Sequence, residues 1–140
     1  MNIISLLLAT CLLSSHVAFA DSPMENKGQP TSQILLQSTQ SWDGTSYRAY
    51  PKGQPELSIL KITIPANTTL KWHKHPIPNA AYVLSGELKV QAKKGGKSIR
   101  LKAGDTLAEM VDIIHRGATG DSPVELVVFY AGAVGTPLSQ

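Results

Sequence analysis

The stretch ELSILKITI, residues 56–64, alternates by twos. Leu57, Ile59, Lys61 and Thr63 stand on one parity; Ser58, Leu60, Ile62 and Ile64 stand on the other. Successive side chains of a strand point to opposite faces, so this period predicts a β-strand. Four further runs read the same way: residues 69–75 (TLKWHKH), 80–92 (AAYVLSGELKVQA), 98–109 (SIRLKAGDTLAE) and 124–132 (VELVVFYAG). Turn formers separate them: Pro65 to Asn67, Pro76 and Pro78, Ser85-Gly86, Gly95-Gly96, Ala103 to Asp105, and Gly120 to Pro123. Many short strands with regular turn signals predict an all-β sandwich or barrel. Tyr82 and Val83 are neighbours on one strand, so only one of them faces inward. The prolines of HPIPN cannot donate ladder hydrogen bonds, which predicts an edge or loop after His75.

The first twenty residues break the pattern. MNIISLLLATCLLSSHVAFA has no Lys, Arg, Asp or Glu, an apolar core over residues 3–13, and a small-x-small site at Ala18-Phe19-Ala20. This predicts a secretory signal peptide cleaved after Ala20, and so a periplasmic or secreted protein. The apolar run is too short for a membrane span of about 20 residues, so no membrane association is expected after cleavage. A lipoprotein would instead use Cys11. That cysteine is the only one in the chain, so cleavage after Ala20 leaves no disulfide and no thiol chemistry. Residues 21–33 read as a flexible leader and residues 34–140 as one domain.

The formal net charge is +3. Its one cluster, KKGGK at residues 93–97, has the glycines of an exposed hairpin turn. No basic stripe interleaved with aromatics accompanies it, so nucleic acid is not an expected partner.

Of four histidines in the chain, His73, His75 and His115 follow the signal. On a strand, His73 and His75 share a face and Lys74 takes the other. Neutral imidazoles suit Zn, Cu, Fe and Ni. A barrel can bring His115 beside the pair. Taken alone, the His-x-His spacing is equally compatible with ordinary surface or core histidines.

The wider spacing resembles the cupin superfamily. Its first motif runs glycine, His-x-His, three or four residues, glutamate, six residues, glycine. Here His73 and His75 are followed by three residues, Asn79, six residues and Gly86. In the second motif a histidine follows a glycine by eleven positions, as His115 follows Gly104. The motifs span Leu70 to Thr119, and the flanking strands extend the resemblance from Leu57 to Tyr130. The departures are Asn79 for the glutamate, Asn67 for the leading glycine, Met110 and Asp112 for a proline and a glycine, and Thr119 for the final asparagine. The resemblance implies a single small double-stranded β-helix, a jelly-roll-like barrel. It also implies metal ligands His73, His75 and His115, and a homodimer.

Asn79 offers only a neutral amide oxygen where the motif has a carboxylate. Three neutral imidazoles, with Asn79 as a candidate fourth ligand, favour Zn, Cu, Ni or Fe over Mn. Glu109, on the strand-like run leading to His115, is the candidate to restore a carboxylate, as fourth ligand or as catalytic general base. Metal affinity is expected to fall as pH drops through about 6.5, where free imidazole protonates. The function implied is dioxygenase, isomerase or lyase chemistry on a small anionic or enediol-like molecule. The alternative is a non-catalytic module that binds or senses a small ligand or a metal.

Overall fold

A computed structural model describes residues 28–140. The predicted signal peptide, Cys11 and most of the predicted leader fall outside the described residues. Residues Gln33–Gln140 form one compact unit.

Seven strands follow in order: β1 (Pro55–Ile64), β2 (Asn79–Ser85), β3 (Glu87–Ala92), β4 (Ser98–Lys102), β5 (Thr106–Ala108), β6 (His115–Thr119) and β7 (Val124–Ala133). There is no helix among the described residues. One antiparallel sheet has the order β1-β7-β2-β5 and the other β4-β3-β6. The all-β expectation holds, and the arrangement is the two-sheet jelly roll.

Alternation sorts the side chains. On β1 the parity carrying Leu60, Ile62 and Ile64 turns inward, while Leu57 and Ile59 remain exposed. On β7 the inner set is Val124, Leu126, Val128 and Tyr130, and on β2 Val83 takes the inner face rather than Tyr82. Leu88, Val90 and Leu101 of the second sheet meet them in one core cluster. Each such Val or Leu stabilises the fold by about 1.5–3 kcal/mol when fully buried.

The junction between β2 and β3 depends on Gly86. Its φ is +80°, and a Cβ there would lie 2.3 Å from the Pro123 carbonyl oxygen. No other residue fits that turn without moving backbone.

Two expected strands are not regular. Residues 69–75 form no regular strand: Thr69 and His73 make single bridges to β6, and His75 bridges to Val111 between β5 and β6. The run 106–114 ends as a strand at Ala108, and Asp112 then takes a left-handed conformation with φ 57°. Glu109 and His115 therefore do not share a strand, as the sequence pattern suggested. The chain folds back between them, with Asp112 N–H donating to the His75 carbonyl at 2.8 Å.

Candidate metal centre

His73 and His115 form a directly opposed antiparallel pair. His73 N–H donates to the His115 carbonyl (3.0 Å) and His115 N–H donates to the His73 carbonyl (2.8 Å). Residues so paired put their side chains on one face, and the two imidazole centroids lie 4.7 Å apart. His75, two residues on, stands 5.1 Å from each of the others. On the other side of His115, the directly opposed β3 residue is Ala92, buried and small, which leaves room for the ring. One ring nitrogen from each histidine lies within 4.8 Å of the other two.

The second nitrogen of each ring sets the tautomer. Nδ1 of His73 lies 2.9 Å from the Lys71 carbonyl. Nδ1 of His75 lies 2.7 Å from that of Leu138, and Nδ1 of His115 lies 2.7 Å from that of Ile113. A carbonyl oxygen only accepts, so each Nδ1 carries the proton and each Nε2 presents a lone pair. Outer hydrogen bonds of this kind orient metal-ligating imidazoles.

Burial disfavours the charged form of His75 and His115. His115 is driven down to about 4, mainly by burial; the Ile113 carbonyl opposes this and the other two imidazoles add to it. His75 is also lowered, by burial first and by His73 last, against the raising effect of Leu138. Proton competition for these two ligands therefore sets in below the pH of about 6.5 expected for free imidazole.

The structure also brings Glu109 to the histidines. Its Oε2 lies 3.4 Å from His115 Nε2. Burial pushes its carboxyl up to about 7, partly offset by the Met110 backbone N–H. Asn79 sits beside Glu109, whose N–H donates to the Asn79 carbonyl at 3.1 Å. The Asn79 side chain is buried, and its Nδ2 donates to the Ile77 carbonyl at 3.1 Å. Asn79 does not line the histidine cavity. It borders a larger open groove of about 560 Å³, together with Tyr47, Ala108 and Phe129, which contains none of the histidines.

The histidine cavity holds about 380 Å³. Its walls include Leu60, Ile62, Leu88 and Val128, and its polar lining includes Glu109 and Tyr130. Two contributors escaped the sequence reading. Tyr130, whose ring stands 5.7 Å from His75, was findable as the last inner position of β7. Leu138, which orients His75, had no local signal. The segment that carries it pairs back on Lys74 through two backbone hydrogen bonds to Gln140, each 2.9–3.0 Å.

These donors fit a divalent ion. Three imidazole nitrogens gather within 4.8 Å of one another, and His115 Nε2 and Glu109 Oε2 are buried without a hydrogen-bond partner. Both atoms are acceptors in this tautomer, and a cation between them would satisfy both.

The comparisons agree with the fold. The fold is similar to DMSP lyase DddQ from Ruegeria pomeroyi, with 25% identity over 60% of this chain and 42% of that one, at a TM-score of 0.54. It is similar to a cupin-like protein from Thermotoga maritima, with 17% identity over 60% and 62% of the two chains, at a TM-score of 0.51. It is also similar to Bacillus subtilis oxalate decarboxylase, a protein with Mn(II) centres, with 17% identity over 60% and 23%, at a TM-score of 0.53. The chain spans less than half the length of the lyase and less than a quarter of the decarboxylase. A search of curated proteins gives no match. A family model described as the cupin domain matches residues 60–130, and the chain belongs to the cupin family.

Proposed function

We propose that this protein is a periplasmic or secreted cupin that holds one divalent transition metal through His73, His75 and His115 and acts on a small anionic molecule. The observation that carries this reading is the shared tautomer: three Nδ1 atoms are each tied to a backbone carbonyl, and one ring nitrogen of each histidine lies within 4.8 Å of the other two. Three neutral imidazoles favour Zn, Cu, Ni or Fe over Mn, and a divalent ion stays net positive even beside one carboxylate, which attracts an anion. When bound, the metal would supply Lewis acidity and open positions for a substrate oxygen.

The chain's own residues do the rest. The aliphatic walls lower the local polarity around the site, which strengthens charge interactions beside them. A cavity of about 380 Å³ is at the small end for ligand pockets. Among dioxygenase, isomerase and lyase chemistry, the likeness to a DMSP lyase supports the lyase. The signal peptide read from residues 1–20 supports export, and the cupin resemblance supports a homodimer.

The second reading, a binding or sensing module, is favoured by one observation. Beyond Glu109 and the histidines, the only titratable side chains on the described cavity lining are Lys71 and Tyr130, a sparse set for acid–base work. Elemental analysis of protein purified from its own compartment, before and after a chelator, tests the metal. Loaded protein should then turn over small organic acids if it is an enzyme and bind them stoichiometrically if it is not. Protein isolated without metal, and taking up none, would contradict the first reading and leave the second only as a small-ligand module.

A further inference from the structure

We infer that Glu109 is the fourth protein ligand of the metal, so that the carboxylate missing from position 79 is supplied from the neighbouring strand end. The inference rests on the three-histidine reading above and adds a residue that the cupin motifs do not contain.

Four buried side-chain polar atoms lack a hydrogen-bond partner among the described residues: Trp42 Nε1, Asn79 Oδ1, Glu109 Oε2 and His115 Nε2. Two of these, Glu109 Oε2 and His115 Nε2, face each other at 3.4 Å. The hydrogen bond from His115 Nδ1 to the Ile113 carbonyl makes His115 Nε2 an acceptor. An ionised carboxylate oxygen is an acceptor too, so with Glu109 ionised the pair has no donor of its own. Two ligand atoms at about 2.0–2.1 Å from one tetrahedral ion are themselves separated by about 3.4 Å. The observed spacing to His115 matches that separation; the ligand atoms already gathered within 4.8 Å of one another are those of the three histidines, so binding would draw the Glu109 carboxylate inward.

The backbone of Glu109 is held on two sides. Its N–H donates to the Asn79 carbonyl (3.1 Å), and Tyr47 Oη donates to its carbonyl (2.7 Å). The side chain lines the histidine cavity, while Asn79 does not. Asn79 Nδ2 is already committed to Ile77. Of the two residues at this edge, Glu109 is therefore the one placed to bind, and it brings the negative charge that Asn79 lacks. A carboxylate bound to the ion cannot also serve as a free general base, so the ligand role replaces the catalytic role that the sequence left open.

The test uses full-length apoprotein titrated with zinc by calorimetry and with cobalt(II) by visible absorption, in wild type, Glu109→Gln, Asn79→Ala and His115→Ala. Glu109→Gln keeps the side-chain volume. It should weaken binding at least about 10-fold, the low end of what even an outer partner of a ligand contributes, and should move the cobalt absorption bands. Asn79→Ala should leave both unchanged. An infrared difference spectrum of wild type with one equivalent of zinc should show a carboxylate stretch shifting, which needs no variant to fold. Unchanged affinity and bands in Glu109→Gln, or no carboxylate shift, overturns the inference. If His115→Ala binds as wild type does, the three-histidine reading falls as well. If it does not, while Glu109→Gln matches wild type, only the Glu109 assignment falls.

Discussion

The two sides of the cavity are finished to different degrees. On one side stand His73, His75 and His115, each imidazole anchored through Nδ1 to a backbone carbonyl 2.7–2.9 Å away. On the other side stands Glu109, whose Oε2 is buried with no partner. The histidine side is anchored before any ion arrives, with His115 Nε2 left buried and unpartnered. The carboxylate side carries an electrostatic cost that only a proton or a cation can relieve. Fixing the neutral ligands and leaving the charged one unsatisfied makes a site that gains from binding a cation and is strained without one.

The largest break in this comparison comes from the anchored side. His75→Ala should cut zinc affinity about 1000-fold, roughly one ligand's share of the ~10–16 kcal/mol typical of a structural zinc site. Competition with a chromophoric chelator measures it.

The strained side predicts the opposite kind of effect. Glu109 has a folded-state value of about 7 against an ordinary 4.5. Its stabilising contribution is complete below about pH 4.5 and is lost as pH rises through about 7. His115 runs the other way: its value falls from 6.5 to about 4. Its contribution is present above about pH 6.5 and lost as pH falls through about 4. Between these limits the two slopes oppose each other, and the metal-free protein should show little change in stability. Glu109→Gln removes one slope. The metal-free variant should be more stable than wild type at pH 8 by on the order of 3 kcal/mol, and should lose stability on acidification over the window where wild type stays flat. Urea unfolding at a series of pH values reads both. A variant no more stable than wild type at pH 8 would mean that Glu109 is not held at a cost.

A smaller effect tests the clamp on Glu109. Tyr47→Phe removes the hydrogen bond from Tyr47 Oη to the Glu109 carbonyl and should cost about 1 kcal/mol. Thermal unfolding of the metal-free protein detects it. The smallest expected effect is at Asn79: Asn79→Ala should leave zinc affinity unchanged, by the same calorimetry that separates it from Glu109→Gln.

The same division marks what the sequence could reveal. The histidines were legible because period-two spacing maps directly onto a strand face, and His73 and His75 share their face even though only single bridges hold that segment. The substituted motif positions were partly legible. Asn67, standing for a glycine, takes φ 52°, and Asp112, standing for another, takes φ 57°; both residue types tolerate that left-handed region. Thr119, standing for an asparagine, donates its hydroxyl to the Pro65 carbonyl at 2.6 Å and accepts the Thr68 N–H at 2.9 Å, which closes the same turn. The direction of Glu109 was not legible. It depends on where β5 ends and on the reversal at Asp112, which local alternation cannot encode. The Leu138 anchor of His75 was hidden for a similar reason: it spans 63 residues, and a backbone carbonyl carries no side-chain signature.

The central claim is that one divalent ion sits among His73, His75 and His115. Calorimetric titration of the apoprotein with zinc, wild type against His115→Ala at a pH above 7, tests it most directly. One tight site per chain in wild type, weakened about 1000-fold in the variant, is the predicted result. Equal affinities in the two proteins, or no binding in wild type, would contradict it.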